Sequence, residues 1–459
     1  MAGFRIEECE TVNTPTVLPA WQRISKGRRV GLTVTLALLL LADIAAADTD
    51  AGPGARYNHA FDFDAPPRTE MQLLPDLTFG AKAKLEIKRE RNFDLDPEDA
   101  DDLTILQPEL SLALSYDPSE RLQLYLNIEP AYRHVDDQEN KKQSETKLSL
   151  KEAFLSLSDI LYGSTLKLGR QRFQDEREWI YDDELDGGRL FHSFSRFAME
   201  FSLTRSSDKD LLNHDDKEAV TNLVVHARYA ADRDDEIGLY AFAQDDRNEQ
   251  DQEIIFLGLH ADGKAWKRLA YWLELAHVRG ETGSTDIRGL GLDIGATYVF
   301  DGRLKPSLTL AYAYGSGDQD PTDGKDGNFR QTGFQDNAAR FNGLIRLKYY
   351  GEMLDPELSN LRIATVGAGI RPTRKTSLDL VYHDYRQVEA SALVRDWEID
   401  QDPDGYSSDI GYEIDLVAGY RIKPHHKGSF IVGSFHPGNA FRADADAALY
   451  VELELQYEF

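Results

Sequence analysis

The chain ends on Ala447-Ala448-Leu449-Tyr450-Val451-Glu452-Leu453-Glu454-Leu455-Gln456-Tyr457-Glu458-Phe459, and this stretch decides the fold. Leu449, Val451, Leu453, Leu455, Tyr457 and Phe459 share one parity, while Tyr450, Glu452, Glu454, Gln456 and Glu458 take the other. A strand turns successive side chains to opposite faces, so one face is wholly apolar and the other almost wholly polar. Two structures give that pattern. One is the half-buried last strand of a soluble sandwich. The other is the closing strand of an outer-membrane barrel, with lipid on one side and lumen on the other. The aromatic carboxyl end resembles the terminal signature of such barrels.

The same alternation runs back through the chain. Phe79, Ala81, Ala83, Leu85 and Ile87 alternate with Gly80, Lys82, Lys84, Glu86 and Lys88. It recurs at Leu122/Leu124/Leu126/Ile128, at Leu290/Leu292/Ile294/Ala296/Tyr298/Phe300 and at Ile410/Tyr412/Ile414/Leu416/Ala418/Tyr420. Most runs suit the ~9–11 residues of a tilted membrane-spanning strand, and no 3.6-residue stripe competes with them. Nineteen candidates emerge, and single-chain bacterial barrels have an even number, so that both termini stay periplasmic. Segment 339–349 breaks the alternation and is set aside, leaving 18 strands. Every even connection is then a short turn (117–121, 158–163, 193–195, 231–235, 262–267, 301–306, 371–375, 423–427). Every odd one is a longer loop, including 89–103, 174–186, 205–220, 316–360 and 387–408. All eight turns are shorter than all nine loops. A sandwich has no reason to alternate in this way, whereas a barrel with periplasmic turns and extracellular loops does.

The expected fold class is therefore all-β: a transmembrane antiparallel up-and-down β-barrel of 18 strands, preceded by a cleaved signal peptide. Lys26, Arg28 and Arg29 precede the apolar run Val30–Leu41, and Ala45-Ala46-Ala47 offers small residues for cleavage before Asp48. Residues 1–47 read as the signal peptide, 48–75 as a periplasmic lead-in, and 76–459 as the barrel, integral to the outer membrane of a Gram-negative cell. Cys9 is the only cysteine and lies in the leader, so thiol and thiolate–metal chemistry are excluded from the mature chain. A mean hydropathy of -0.49 argues against a helical membrane protein. The net charge of -28 argues against a nucleic-acid partner. Much of that charge falls in solvated loops, at Asp94 to Asp102, Asp208 to Glu218 and Asp245 to Glu253.

Eighteen strands enclose a water-filled channel unless loops plug it. Parity points Lys82, Lys84, Lys147, Lys151, Arg189, Arg196, Arg228, Arg362 and Arg421 inward. A ring of cations in a narrow passage favours anions. Basic side chains paired with Glu274, Asp293, Glu413 or Asp415 would equally be ordinary lumen decoration. Arg170 and Arg172 share the parity of Leu166 and Leu168. A bulge at Gly169 would swing them inward; otherwise they lie above the apolar band. The loop Asp175-Glu176-Arg177-Glu178-Trp179-Ile180-Tyr181 either folds inward as a constriction or caps the rim. Asp400, Asp402 and Asp404, followed by Gly405, open like a calcium loop. The twelfth position is Gly411 and no helices flank it, so a solvated acidic loop is the simpler reading, and no other cofactor is expected. No G-x-S-x-G, H-E-x-x-H or cysteine nucleophile is present, and no enzyme is expected.

From Gly169-Arg170-Gln171-Arg172-Phe173 onward the chain resembles the bacterial alginate exporters of the outer membrane. The resemblance is strongest along Phe329-Arg330-Gln331-Thr332-Gly333-Phe334-Gln335-Asp336-Asn337 and from Tyr349-Tyr350-Gly351-Glu352 to Leu361. It implies an 18-stranded barrel with an electropositive constriction that passes a uronic-acid polysaccharide outward. On that basis Arg170, Arg172 and Arg362 take the pore role first, and the inward-parity bases Arg189, Arg196, Lys84, Lys151 and Arg421 complete the pore-lining expectations. The gate or loop expectations are Arg330, Gln335, Asn337 and Glu352, with loop 316–360 as the gate, since no periplasmic turn is long enough to plug the barrel. Implied partners are outer-membrane lipid and lipopolysaccharide, an acidic polysaccharide and periplasmic polymer-secretion proteins. An uptake porin for small anions or oligosaccharides is the alternative on the same barrel.

Overall fold

The computed structural model describes residues 65–98, 102–137, 142–212, 220–232, 234–246, 251–423 and 425–458. The expected leader, its cleavage point, Cys9 and Phe459 lie outside them. Eighteen long strands build the wall: β1 (Leu77–Arg91), β2 (Leu103–Ser119), β3 (Leu122–Asp137), β4 (Gln143–Ser158), β5 (Ser164–Gln174) and β6 (Asp182–Phe194). Next come β7 (Phe197–Arg205), β8 (Thr221–Ala230), β9 (Glu236–Asp246), β10 (Gln252–Ala265), β11 (Leu269–Thr282) and β12 (Thr285–Val299). The last six are β13 (Ser307–Gly315), β14 (Leu361–Thr373), β15 (Thr376–Gln387), β16 (Asp409–Lys423), β17 (His426–Pro437) and β18 (Ala448–Glu458).

Each strand pairs antiparallel with its sequence neighbours, and β1 pairs with β18 from Lys82↔Glu458 to Arg91↔Leu449. That last ladder closes the sheet, so no strand edge is left facing hydrocarbon, where an unpaired backbone group costs several kcal/mol (about 4–8 for transfer to a medium without hydrogen bonds). On β18 the expected parity holds: Val451 is 36% and Leu455 48% exposed on the outer face, while Tyr450, Glu452, Glu454 and Glu458 are buried inside. β13 pairs with β14 from Ser307↔Gly369 to Tyr314↔Arg362, bridging the long loop between them. Segment 339–349, set aside as a strand, contributes only Ala338–Ala339 paired with Leu347–Lys348, a hairpin outside the wall sheet. Its Leu344, Ile345 and Leu347 are buried, so their irregular spacing reflects a folded insert rather than a lipid-facing strand.

The bulge near Arg170 sits elsewhere than expected. β4 and β5 pair without interruption from Ser158↔Thr165 to Ala153↔Arg170, so Arg170 keeps the parity of the exposed Leu168. The register shift lies between β3 and β4, where Asn127↔Glu152 is followed by Ile128↔Leu150 and Lys151 is the extra residue. Above Arg170, β5 leaves β4. Segment 209–211 takes its place: Leu150 N donates to Lys209 O (2.9 Å) and Leu211 N to Leu148 O (2.8 Å). Gly169 permits the departure. Its φ is +120°, and a Cβ there would stand 2.3 Å from the Ala153 carbonyl oxygen.

Candidate transport pathway

Two extracellular loops fold into the lumen, each organised by a short local motif. In the first, the Asp175 carboxylate accepts hydrogen bonds from the backbone N–H groups of Arg177, Trp179, Ile180 and Tyr181 at 2.9–3.3 Å. This turn drives Trp179, Ile180 and Tyr181 inward, where all are buried. Of the two readings open for this loop, the inward one is correct. The Arg177 guanidinium is held between the rings of Trp272 (4.3 Å) and Tyr349 (4.2 Å) and reaches Asp293 on β12 at 3.3 Å. Asp293 also accepts from Trp272 Nε1 (2.8 Å) and Tyr350 Oη (3.2 Å). Trp179 Nε1 donates to Tyr350 Oη at 2.9 Å. A single wall carboxylate therefore ties both loops to the barrel. Such a buried ionic network is costly to break from one side only, because the remaining charge loses its partner.

The second loop, 316–360, is fixed at its start, middle and end. Arg330 binds Gln252 Oε1 (2.6 Å), Thr282 Oγ1 (3.2 Å) and Asp326, docking the loop on the upper ends of β10 and β11. Gln331 and Asn337 exchange amide hydrogen bonds (2.8 and 3.2 Å), and Gln331 Oε1 accepts from Leu358 N (2.9 Å). Gln335 Oε1 accepts from Gly333 N (2.8 Å) and braces the turn. Farther on, Glu413 of β16 accepts from Met353 N (2.7 Å) and Leu354 N (3.1 Å), with Tyr385 Oη 3.0 Å away. Gly351 makes this approach possible. A Cβ there would lie 2.2 Å from Tyr385 Oη and 2.7 Å from Glu413 Oε2, and its φ is +116°. Phe329, Ile345, Leu347, Tyr349, Met353 and Leu358 pack into one apolar cluster with Phe242, Phe256 and Val381 of the wall.

Between this insert and the wall formed by β1, β17 and β18 runs a cavity of about 360 Å³. Lys84, Lys88, Arg346 and Lys348 face it, as do Glu86, Glu90, Glu178, Asp336, Glu352, Asp355, Glu398, Glu452 and Glu454. The bases are held by acids: Lys84 by Glu109 (3.1 Å), Lys88 by Glu86 (3.1 Å) and Glu452 (3.6 Å), Arg346 by Glu178 (3.0 Å). Lys348 bridges Asp336 (2.7 Å) and Asp355 (2.6 Å). These two carboxylates outweigh the desolvation that opposes its charge and hold the ammonium well above its usual range. Burial pushes Asp355 up to about 6 and Glu352 well above the usual carboxylate range. With four bases against nine carboxylates, the cavity lining is a lattice of ion pairs with an acidic excess rather than a bare ring of cations.

The expected pore residues scatter. Lys84 faces the cavity. Lys151 sits at the bulge, 3.1 Å from Glu184. Arg189 is buried against Glu200 (2.8 and 2.9 Å) and stacks on Phe173 and Phe191. Arg170 is clamped by both oxygens of Asp186 (2.9 and 2.8 Å), by Leu150 O (3.2 Å) and by Ser207, under the segment that replaces β5. Arg172 forks onto Asp182 (2.7 and 2.8 Å). Arg421 is half-buried near the periplasmic end of β16. Two inward placements are corrected. Arg196 lies in the periplasmic turn before β7 and donates to Ala231 O (3.0 Å). Arg362 alternates with the buried Leu361 and Ile363 and points outward, because those apolar side chains pack into the cluster around the inserted loops and not against lipid. Of the gate residues, Arg330, Gln335 and Asn337 hold the inserted loop together, and Glu352 faces the cavity.

The residues that parity missed are Arg346, Lys348, Asp355 and the anchors Arg177, Trp179 and Tyr350, whereas Lys88 and Asp293 sit inward as their parity indicated. All of the missed residues lie on loops, where period two says nothing. Among the described residues, two groups bring three potential ligands within 4.8 Å of one another: Glu236–His260–Asp262 and Glu178–Asp182–Asp336. In the second, Arg346, Arg172 and Lys348 already engage the acids. Asp400, Asp402 and Asp404 form no such group; Asp404 instead caps its own turn through Tyr406 N (2.7 Å).

The sequence profile of the alginate export family matches residues 76–451. The alginate production protein AlgE of Pseudomonas aeruginosa (strain PAO1) is 26% identical over 346 residues, covering 63% of this chain and 69% of that protein. Its counterpart from Pseudomonas syringae pv. tomato is 23% identical over 359 residues, covering 63% and 70%. Among solved structures, Pseudomonas aeruginosa OccK7 (OpdD) superposes with a TM-score of 0.57 at 12% identity, over 84% of this chain and 99% of that one. The Pseudomonas aeruginosa outer membrane protein OpdK gives 0.56 at 12%, over 84% and 100%. At these identities the structural likeness is one of fold.

Proposed function

The chain belongs to the alginate export family, and from that premise we propose that its barrel passes an anionic, alginate-like uronic-acid polysaccharide outward across the outer membrane without an energy source of its own. One observation carries the reading beyond family membership. The inserted loop 316–360 presents Arg346 and Lys348 to the cavity, each already bound to a carboxylate of the protein. A uronate carboxylate is chemically what Glu178, Asp336 and Asp355 already offer, so the polymer passes by exchange. Each sugar acid takes the place of a protein carboxylate on a base and yields it again as the chain advances. Sites that bind weakly and in series permit conduction, where a deep cationic trap would stall it. Loop 316–360, which connects β13 to β14 and packs inside the barrel, is the element that must shift to widen the path.

Planar-bilayer recordings test this. Oligouronates added on the periplasmic side should block the current in a length-dependent way, and R346Q/K348Q should weaken the block. A channel that is indifferent to oligouronates, in wild type and variant alike, would overturn the proposal.

A further inference from the structure

At the extracellular ends of two strand pairs, arginine stands directly opposite arginine: Arg279↔Arg288 between β11 and β12, and Arg362↔Arg386 between β14 and β15. All four are exposed on the outer face. Arg279 follows the exposed Leu275 and His277, Arg288 precedes the exposed Leu290, and Arg386 follows the exposed Tyr382 at i+4. Like charges directly across an antiparallel pair destabilise it. Elsewhere, toward the same end of the barrel, the cross-strand partner is an acid: Arg133↔Glu145 and Arg205↔Asp186. The barrel's own acids compensate these arginines poorly. Arg288 has Asp286 at 3.7 Å and Arg386 has Asp384 at 3.4 Å. Arg279 and Arg362 have no carboxylate within ion-pair distance among the described residues.

Their depth says what supplies the missing charge. Tyr312, Tyr382 and Tyr412 are 37–40% exposed on the same face, membrane-ward of the arginines, and aromatic side chains of this kind mark the interface between hydrocarbon and headgroup. Guanidinium groups just outside that girdle meet the headgroup layer, and paired guanidiniums match a phosphate in a bidentate fork. We propose that these two arginine pairs form a binding site on the barrel wall for the phosphate groups of the lipid moiety of lipopolysaccharide. The site is independent of what crosses the lumen, because none of the four arginines lines the cavity.

The test is native mass spectrometry of the full-length barrel in detergent, titrated with bisphosphorylated lipid A, its dephosphorylated form, and inorganic phosphate as competitor. Wild type should retain the bisphosphorylated lipid preferentially. R279Q/R288Q/R362Q/R386Q should lose about tenfold or more of that retention, as expected when bidentate guanidinium–phosphate contacts disappear. R268Q, in a periplasmic turn, should leave it unchanged. Folding is checked by heat-modifiable migration. If the fourfold variant does not fold, R279Q/R288Q and R362Q/R386Q are tested separately, and each should lower retention. Retention equal to wild type in the folded variants, or equal binding of the dephosphorylated lipid, overturns the assignment. Displacement of the lipid by millimolar inorganic phosphate makes this a free-phosphate site and overturns it too.

Discussion

Gly351→Ala should release the inserted loop while leaving the barrel closed. The new Cβ falls 2.2 Å from Tyr385 Oη and 2.7 Å from Glu413 Oε2, and neither group can retreat. Tyr385 and Glu413 are buried in the wall, and Glu413 is fixed by the two N–H groups of Met353 and Leu354. The loop backbone must therefore lift. Lifting removes two hydrogen bonds to a charged acceptor, worth about 1.5–3 kcal/mol each. Retaining φ near +116° with a side chain would cost about 1–3 kcal/mol instead. The first route weakens docking by about 3 kcal/mol or more and the second by about 1–3 kcal/mol, so the docked-to-undocked ratio falls by roughly one to two decades. Strands β15 and β16 keep all their ladder bonds, so heat-modifiable migration should match wild type. Single-channel recording should show longer and larger openings, and protease added outside should cleave within 316–360 faster. Gly283→Ala is the control: that glycine has a positive φ of +56° but nothing within 4 Å of a new Cβ. If G351A conducts and resists protease as wild type does, the loop is not held at Glu413 and the gating argument fails.

Removing the Asp293 charge with D293N should strand the Arg177 guanidinium in a buried site. Loss of one partner of such a pair costs about 3–5 kcal/mol, visible as a lower thermal midpoint of Trp179 and Trp272 fluorescence. Burial raises Asp355 to about 6, so the docked loop binds a proton more readily than the free one. The sign follows from linkage: docking is strongest below the free carboxylate's pKa near 4 and weakens as pH rises through about 6. Open probability should therefore increase between pH 4.5 and 7, and D355N should flatten the profile. R346Q/K348Q removes two of the four bases facing the cavity, so the reversal potential in a salt gradient should move toward cation selectivity.

The wall was almost fully legible in the sequence, and the path through it was not. Period-two alternation is imposed by lipid on one side and water on the other. It marked Thr221–Ala230 and Ser307–Gly315 to the residue, and it fixed the pairing of the last strand with the first. Parity failed wherever neither solvent decides. Arg362 takes the outer face because its apolar neighbours Leu361 and Ile363 pack into the lumen-side cluster, an environment that local alternation does not encode. Arg170 keeps its outward parity yet is buried, because a distant loop covers it. Lys348 and Asp355 meet only because Gly351 and Glu413 dock their loop, a contact between residues 60 or so apart that no local pattern encodes.

In the proposed exchange, the ion-pair lattice lets a strongly acidic chain serve an acidic cargo. A bare lysine or arginine in a narrow, weakly polar passage would bear a desolvation cost that only a tightly held anion could offset. The polymer would then bind and stay. Pairing each base beforehand with Glu178, Asp336, Asp355 or Glu452 removes that penalty from the resting state. The incoming uronate then gains only the difference between two similar carboxylates, which keeps each site shallow. The excess of acids has a second consequence. A polyanion that stops moving faces net repulsion from the nine carboxylates around it, which outnumber the four bases, so the lattice favours transit over residence. Charge reversal at one of those acids, as in Glu452→Lys, should therefore slow conduction while tightening oligouronate block. A variant that tightened block and sped conduction together would contradict the exchange mechanism.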